Sequence, residues 1–293
     1  MKKVFITGAD GYIGSRLAQE LSDKYRIIRI LQYGENARLL LDLEKPEKFQ
    51  FDQIEEGSYV IHLAAVSSPD KCAKEYDRSR QINVTGTSYF IGECLKRGSR
   101  VLFFSSDVVY GASDFEGEKY FDENSSCNPL GEYGYMKREV EKSFIGKGGF
   151  KVFRLSYVYS KNDKFILYLR SCCEKEKVAD IFHPFFRNVV YIEDIIAAVK
   201  KLIDKWESTK ESVFNIVGPE TISRKKMAEL YKREADPRLQ VKITKPEESF
   251  FKNRPKTIRV RSLYLNKLLE RPPTELGRAY CLEKDESLLN NKN

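Results

Sequence analysis

Tyr133 and Lys137 stand four residues apart in the run GEYGYMKRE, so a helix there carries both side chains on one face. A phenol with an unperturbed pKa of roughly 10 is a weak acid–base group at neutral pH. A neighbouring ammonium favours its phenolate, and the same ammonium can hold a ribose. Tyr135 is only two residues from the lysine and falls on another side of the helix. Upstream, the strand-like run RVLFFSS ends in Ser105-Ser106-Asp107, which places the Ser106 hydroxyl at a strand's C-terminal edge, where it can hydrogen-bond a reacting carbonyl or alkoxide. A Tyr-x-x-x-Lys match by itself is common on surface helices, and serine is common where strands turn. The weight lies in their order together with a third feature.

That feature is Thr7-Gly8-Ala9-Asp10-Gly11-Tyr12-Ile13-Gly14, directly after the strand-like KKVFIT. Gly8 suits a tight turn, Gly11 a close approach of backbone to a pyrophosphate, and Gly14 close packing of the helix that begins at Tyr12 and Ile13. The first amides of that helix offer N–H groups to an anion. At the end of the second strand, Leu31 or Gln32 stands where a ribose-binding carboxylate is usual, and Arg38 or Arg29 can meet a 2′-phosphate. NADP(H) is therefore favoured, with NAD(H) possible. Asp42 can accept from an adenine amino group or serve as a solvated turn aspartate.

The elements that must position these residues alternate. KKVFIT, a helix over 12–23, YRIIRIL, SYVIHLAA, a long helix over 77–97 and RVLFFSS have the rhythm of βαβ units. The strand runs are apolar on both faces, as in a parallel sheet covered by helices. The fold class is α/β, a doubly wound parallel (Rossmann) sheet with a smaller C-terminal α/β lobe for substrate. A helix over 131–146 leads to KVFRLSYVY, which extends the sheet. A helix over 163–176 and a strand-to-helix step in NVVYIEDIIAAVKKLI follow. The expected division is a dinucleotide domain over 1–160 to which the chain returns at about 187–206, and a lobe over 161–186 and 207–293 that includes VFNIVG. The last residues, DESLLNNKN, read as frayed.

Composition bounds the alternatives. With 41% hydrophobic and 32% charged residues, the chain can build an ordinary globular core and is neither disordered nor fibrous. No apolar run is long enough to cross a bilayer and no leader pattern precedes the first strand, which points to the cytoplasm and away from membranes. The six cysteines lack paired spacing and read as reduced thiols. His62 and His183 are the only histidines and neither sits at ligand spacing, so no metal site is expected and both read as structural. A net charge of +8 is spread among acidic residues, which disfavours a nucleic-acid partner and suits anionic small molecules.

TGADGYIG, HLAA, INVTGT, SSDVVYG, YGYMK and FRNVVYIEDI resemble the extended short-chain dehydrogenase/reductase superfamily over nearly the whole chain. Within it, SSPDKCAKEYDRSRQINVTGT followed by SSDVVYG is most similar to the dTDP-4-dehydrorhamnose reductase group and neighbouring nucleotide-sugar epimerases and dehydratases. The resemblance implies catalytic roles for Ser106, Tyr133 and Lys137. It also implies cofactor contacts from the Gly8–Gly14 turn, Gln32, Arg38, Asp42, Leu43, Leu63, Ala64, Ala65, Asn83 and Ser105, and from residues following Arg154. Substrate contacts fall to Ser106, Asp107 and Arg254, the last in a segment that resembles the group's diphosphate-contacting region. Arg187 reads either as a diphosphate ligand or, preferably, as an ion-pair partner of a nearby carboxylate such as Asp194. In 4,6-dehydratases the hydroxyl residue is followed by Asp-Glu; here Val108 follows Asp107, which removes the base for loss of water. Ser160 replaces the glycine that usually follows this Val-Tyr step. The reading is an NAD(P)H-dependent 4-ketoreductase acting on a nucleotide-diphosphate sugar, homodimeric by analogy. A nucleotide-sugar 4-epimerase and a non-catalytic NADP-binding regulatory subunit are the alternatives.

Overall fold

The computed structural model describes residues 1–34, 38–113 and 120–290, with side chains through Glu283. In chain order the first elements are β1 (Lys3–Thr7), α1 (Tyr12–Leu21), β2 (Arg26–Leu31), β3 (Leu39–Leu40), β4 (Tyr59–His62), α2 (Pro69–Lys74), α3 (Tyr76–Arg80), α4 (Thr87–Lys96), β5 (Arg100–Ser106), α5 (Glu132–Phe144) and β6 (Phe150–Leu155). Then come β7 (Tyr157–Tyr159), α6 (Lys164–Glu174), β8 (Ala179–Phe182), β9 (Phe186–Tyr191), α7 (Ile192–Asp204), β10 (Val213–Ile216), β11 (Thr221–Ser223), α8 (Arg224–Glu234), β12 (Val241–Thr244), α9 (Leu265–Leu269) and α10 (Leu276–Asn290). The chain divides into unit one (Met1–Gly111, Ser126–Arg154, Val199–Phe214) and unit two (Ala112–Ser125, Leu155–Ala198, Asn215–Asn293).

Unit one is built on a seven-stranded sheet of order β10-β6-β5-β4-β1-β2-β3. The β1–β2, β1–β4, β4–β5 and β2–β3 pairs run parallel. Every residue of β4 and β6 is buried, including Lys151 and Arg154, as expected of central strands covered by helices on both faces. Strand order reverses at β1, which lies between β2 and β4, and open α/β sheets bind ligands beyond the strand ends at such a reversal. Ring contacts run through the core: Phe49 meets Phe51 and Phe90 edge-on at 5.0 and 5.2 Å, and His62 lies between Phe90 (5.4 Å) and Phe103 (6.1 Å).

Unit two carries a three-stranded sheet, β11-β9-β7, and a two-stranded one, β12-β8. Buried Asn188 is its hub: Nδ2 donates to the Gly218 carbonyl, and Oδ1 accepts from the Val260 amide at 2.9 Å and the Thr221 hydroxyl at 3.4 Å. Asp194, also buried, pairs with Arg271 at 2.5 Å and accepts from the Thr274 amide at 2.6 Å. Asp194, the carboxylate suggested as a partner for Arg187, is thus engaged by Arg271 and Thr274.

Several elements differ from their sequence reading for local reasons. KVFRLSYVY is two strands: the chain leaves the large sheet at Ser156, whose hydroxyl donates to the Asn188 carbonyl and whose amide donates to Ile216, so β7 joins the smaller sheet. VFNIVG does not belong to the lobe's own sheets; β10 pairs beside β6 at the edge of the large sheet, and Phe214 packs on Phe153 at 5.8 Å. The stretch that rejoins unit one is Val199–Phe214, because β9 is tied to β7 and β11. The expected helix over 77–97 is interrupted by a π-helical segment, Gln81–Gly86. At its end a Cβ on Gly86 would come within 1.9 Å of the Leu43 carbonyl oxygen, so only glycine permits this close packing. α10 continues through Asn290 where fraying was expected, and the last three residues lie outside those described. Among the described residues no helix is long and apolar enough to cross a membrane, and all six cysteines are free.

Candidate active site

The glycine turn closes over the end of β1. Gly8 has φ +64°, a conformation that favours glycine, and its carbonyl accepts from the Gly11 amide at 3.0 Å. A Cβ on Gly14 would stand 2.1 Å from the Gly8 carbonyl oxygen, so the first turn of α1 can lie on the loop only as glycine. Gly11 caps α1 without a side-chain hydrogen bond, which leaves the helix entrance open to an anion. Tyr12 and Gly11 are exposed and Ile13 is half-buried. The geometry fits a dinucleotide phosphate: a positive-φ turn, a tightly seated helix and an N-cap residue that makes no side-chain cap bond.

Thr7 and His62, which sequence reasoning left out of the site, fix this floor. Thr7 Oγ1 accepts from the amides of Leu63 and Ala64, 3.1 Å each, and lies 3.1 Å from His62 Nδ1. His62 Nε2 lies 3.3 Å from Thr87 Oγ1, whose proton goes to the Ile82 carbonyl at 2.9 Å. With that proton spent, Nε2–H donates to Thr87 and Nδ1 accepts from Thr7. Burial among rings, and secondarily the charge of Lys137, push the imidazole down to about 3, so it is neutral. The only signal was position: Thr7 and His62 are register partners at the ends of β1 and β4.

The remaining expected cofactor residues fall into three groups. Leu63, Ala64 and Ala65 follow β4 half-buried, and Gly8 turns against Ala64. Asn83 is buried and already committed: Oδ1 accepts from the Val66 amide at 2.8 Å and Nδ2 donates to the Val66 carbonyl at 2.9 Å, so it clamps the loop after β4. Leu43 is buried, while Gln32, Arg38, Arg29 and Asp42 are exposed. Asp42 Oδ1 accepts from the Glu44 amide at 2.9 Å, the turn role that its sequence reading left open. Ser105 is buried at the end of β5, its hydroxyl without a hydrogen-bond partner among the described residues.

The structure brings Tyr133 and Lys137 together on α5, which packs against β5 and against the 3-10 turn Asp107–Tyr110 that follows it. Lys137 is 3% exposed; its Nζ donates to the Phe104 carbonyl at 2.9 Å, lies 4.6 Å from the Phe103 ring centre and 5.9 Å from that of Tyr133. Burial lowers its pKa to about 8, with Glu141 and Cys72 acting in the opposite direction. Burial, then Cys72 and Asp107, raise the Tyr133 phenol above its ordinary value. The ammonium-favoured phenolate anticipated from spacing is thus not the resting state. Desolvation outweighs the cation, and Tyr133 holds its proton at neutral pH. Tyr135 is 53% exposed.

Ser106 ends β5. Its hydroxyl donates to Asp107 Oδ1 at 3.3 Å and accepts from the Val108 amide at 3.4 Å, both long bonds that an incoming oxygen can replace. Asp107 is buried at 3% exposure. Behind these groups lies an ion-pair cluster that no sequence motif announced. Arg154, at the end of β6, donates through Nε and Nη2 to the two oxygens of Glu141 at 3.0 and 2.7 Å and through Nη1 to Tyr110 OH at 2.8 Å. Arg138 adds a bond to Glu141 at 2.8 Å. Arg154 thereby ties α5 to the turn after Ser106.

In unit two, Arg187 donates to the carbonyls of Phe186, Pro255 and Lys256, and its guanidinium stacks 4.3 Å from the Phe185 ring centre. Arg254 is half-buried with its guanidinium 4.3 Å from the Phe250 ring centre. His183 is half-buried, 5.5 Å from Phe186. Ser160 Oγ accepts from the Asn162 amide at 3.1 Å and starts the turn into α6. Among the described residues there is no cluster of three His, Cys, Asp or Glu side chains that could hold a metal.

Comparison with known proteins identifies a family and a shared fold. The model of the RmlD substrate binding domain family matches residues 1–273. The chain is 24% identical over 206 residues to the dTDP-4-dehydrorhamnose reductase of Mycolicibacterium smegmatis, covering 69% of this chain and 61% of that enzyme's length. It is 24% identical over 230 residues to that of Aggregatibacter actinomycetemcomitans, covering 76% of each. The fold is shared with the crystal structure of dTDP-4-dehydrorhamnose reductase from Bacillus anthracis in complex with NADP, at TM-score 0.81 and 22% identity over 98% of this chain and 99% of that one.

Proposed function

The chain belongs to the RmlD substrate binding domain family, and on that premise we propose that it is an NAD(P)H-dependent reductase of a nucleotide-linked keto-deoxysugar, acting at a 4-keto carbon. The observation that carries this reading is Tyr133 beside the buried Lys137, on a helix packed against the strand that ends in Ser106, where burial favours the protonated phenol. The glycine turn, with Gly8 at positive φ and Gly14 seated on it, suits the pyrophosphate of a nicotinamide dinucleotide. When bound, the nicotinamide supplies a hydride to the keto carbon. Tyr133 donates its phenolic proton to the oxygen that becomes a hydroxyl. Lys137 spends one N–H on Phe104 and has two more for the cofactor ribose and the phenol. Ser106 gives up its long bond to Asp107 and donates to the substrate oxygen, while the buried carboxylate of Asp107 accepts from a substrate hydroxyl.

Two sequence features refine the reading. The end of β2 offers Leu31 and Gln32 rather than a carboxylate, and Arg38 is exposed nearby, which favours a 2′-phosphate and hence NADP(H) over NAD(H). Val108 offers no carboxylate for loss of water. The test is stoichiometric: incubated with NADPH and a dTDP-linked 4-keto-6-deoxysugar, the protein oxidises one NADPH per sugar reduced. Conversion of a nucleotide-sugar with no net NADPH consumption would instead identify an epimerase.

A further inference from the structure

The loop that follows β4 is pinned at both ends. At its start, Thr7 Oγ1 accepts from the amides of Leu63 and Ala64, and Ala64 lies against the Gly8 turn. At its end the pins converge on Val66. The Val66 amide donates to Asn83 Oδ1, and the Val66 carbonyl accepts twice, from Asn83 Nδ2 at 2.9 Å and from the Cys72 thiol at 3.2 Å. Cys72 lies on α2, which packs against α5, and it is fully buried. Asn83 Nδ2 faces two sulfurs as well, Cys72 Sγ at 3.7 Å and Met136 Sδ at 3.6 Å. Cys72, Val84 and Met136 form a small core of their own, on which Val66 packs from the loop and Tyr133 from α5. Cys72 is also near enough to the Tyr133 phenol to act on its ionisation. A thiol suits this place because it packs as a small apolar group and still donates a weak hydrogen bond.

We propose that Cys72 is a positioning residue for the reaction: its thiol joins the loop that lies against the glycine turn to the face of α5 that carries Tyr133, and so fixes where the phenol stands. The step it serves rests on the reductase reading above; the joint itself does not. Interiors are close-packed, so Tyr133 and Met136 shift when the sulfur is removed. Displacing a reacting group by about 1 Å costs on the order of a hundredfold in rate.

The test compares Cys72→Ala with Cys94→Ala, since Cys94 on α4 is equally buried but belongs to the main core of unit one. Cys72→Ala should slow single-turnover reduction of a dTDP-linked 4-keto-6-deoxysugar by about tenfold or more, with NADPH affinity within about twofold of wild type. Cys72→Ser keeps a donor for Val66 but sets a smaller, more polar group against Tyr133. It should lose about threefold or more, and it carries the comparison if the alanine variant does not fold. Cys94→Ala should lower the melting midpoint and leave the rate unchanged. A rate equal to wild type in the Cys72 variants, a loss matched by Cys94→Ala, or a loss matched by weakened NADPH binding overturns the proposal. A second readout needs no substrate: in protein carrying tyrosine labelled with carbon-13 at Cζ, the Tyr133 resonance, assigned by its absence in Tyr133→Phe, should move in Cys72→Ala and stay in place in Cys94→Ala. Movement in a protein whose wild type reduces no keto-sugar keeps the joint and removes the reductase reading. A resonance that does not move in Cys72→Ala overturns the proposal.

Discussion

At the scale of single residues, the site is governed by burial. Lys137 has a pKa of about 8 instead of 10.5 because its ammonium is desolvated. In the free protein the kcat/KM for NADPH should therefore fall above about pH 8 as the cation is lost. The sign for stability is the reverse. Between pH 8 and 10.5 the unfolded chain binds a proton that the folded chain does not, so this group's contribution rises with pH across that window and is lost as pH falls through 8. The stability difference between wild type and Lys137→Met, from urea unfolding at each pH, should grow by about 3 kcal/mol over the window; a flat difference contradicts the assignment. The placement of Tyr133 and Lys137 on one helix and of Ser106 at a strand end was legible because it depends on residue type and spacing. The phenol's state was not, since desolvation is a property of the packed core. Thr7 was equally invisible: nothing in the sequence marks one strand-end threonine as the acceptor of two amides.

At the scale of elements, one clamp decides whether α5 and the turn after β5 keep their places. Glu141 is fully buried and is held by Arg154 and Arg138, and it also supports the charge of Lys137 one turn away on the same helix. Glu141→Gln leaves the Arg154 guanidinium buried without its counter-charge, which should cost about 3–5 kcal/mol of stability by chemical denaturation. The same substitution removes a charge that raises the Lys137 pKa, so the basic limb of the kcat/KM profile should move to lower pH. An unchanged limb in a destabilised variant would make the cluster merely structural. The helices and strands of the first half were legible from their apolar runs. The break between β6 and β7 was not, because Phe150 to Tyr159 reads as one β-rich run with no Gly or Pro to interrupt it, and long-range bonds from Ser156 to Asn188 and Ile216 divide it. The π-helical segment was hidden for a similar reason: Gly86 is required by contact with Leu43, not by its neighbours in sequence.

At the scale of the molecule, the doubly wound sheet follows from alternating apolar strands and amphipathic helices, and strand reversal at β1 fixes where a dinucleotide can bind. Which segments serve which unit was less legible, since β10 is as apolar as any lobe strand and its place beside β6 depends on partners far away in the chain. A dinucleotide that binds only the folded state at a hundredfold excess over its Kd adds about 2.7 kcal/mol to stability. NADPH should thus raise the melting midpoint by several degrees, and by more than NADH at equal concentration. Equal shifts would argue against a preference for the 2′-phosphate. The most direct measurement of the central claim is single-turnover reduction of a dTDP-linked 4-keto-deoxysugar by wild type and Tyr133→Phe, with NADPH affinity measured alongside. Loss of turnover by about two to four orders of magnitude with NADPH affinity retained is the predicted result; turnover equal to wild type would show that the proton comes from elsewhere.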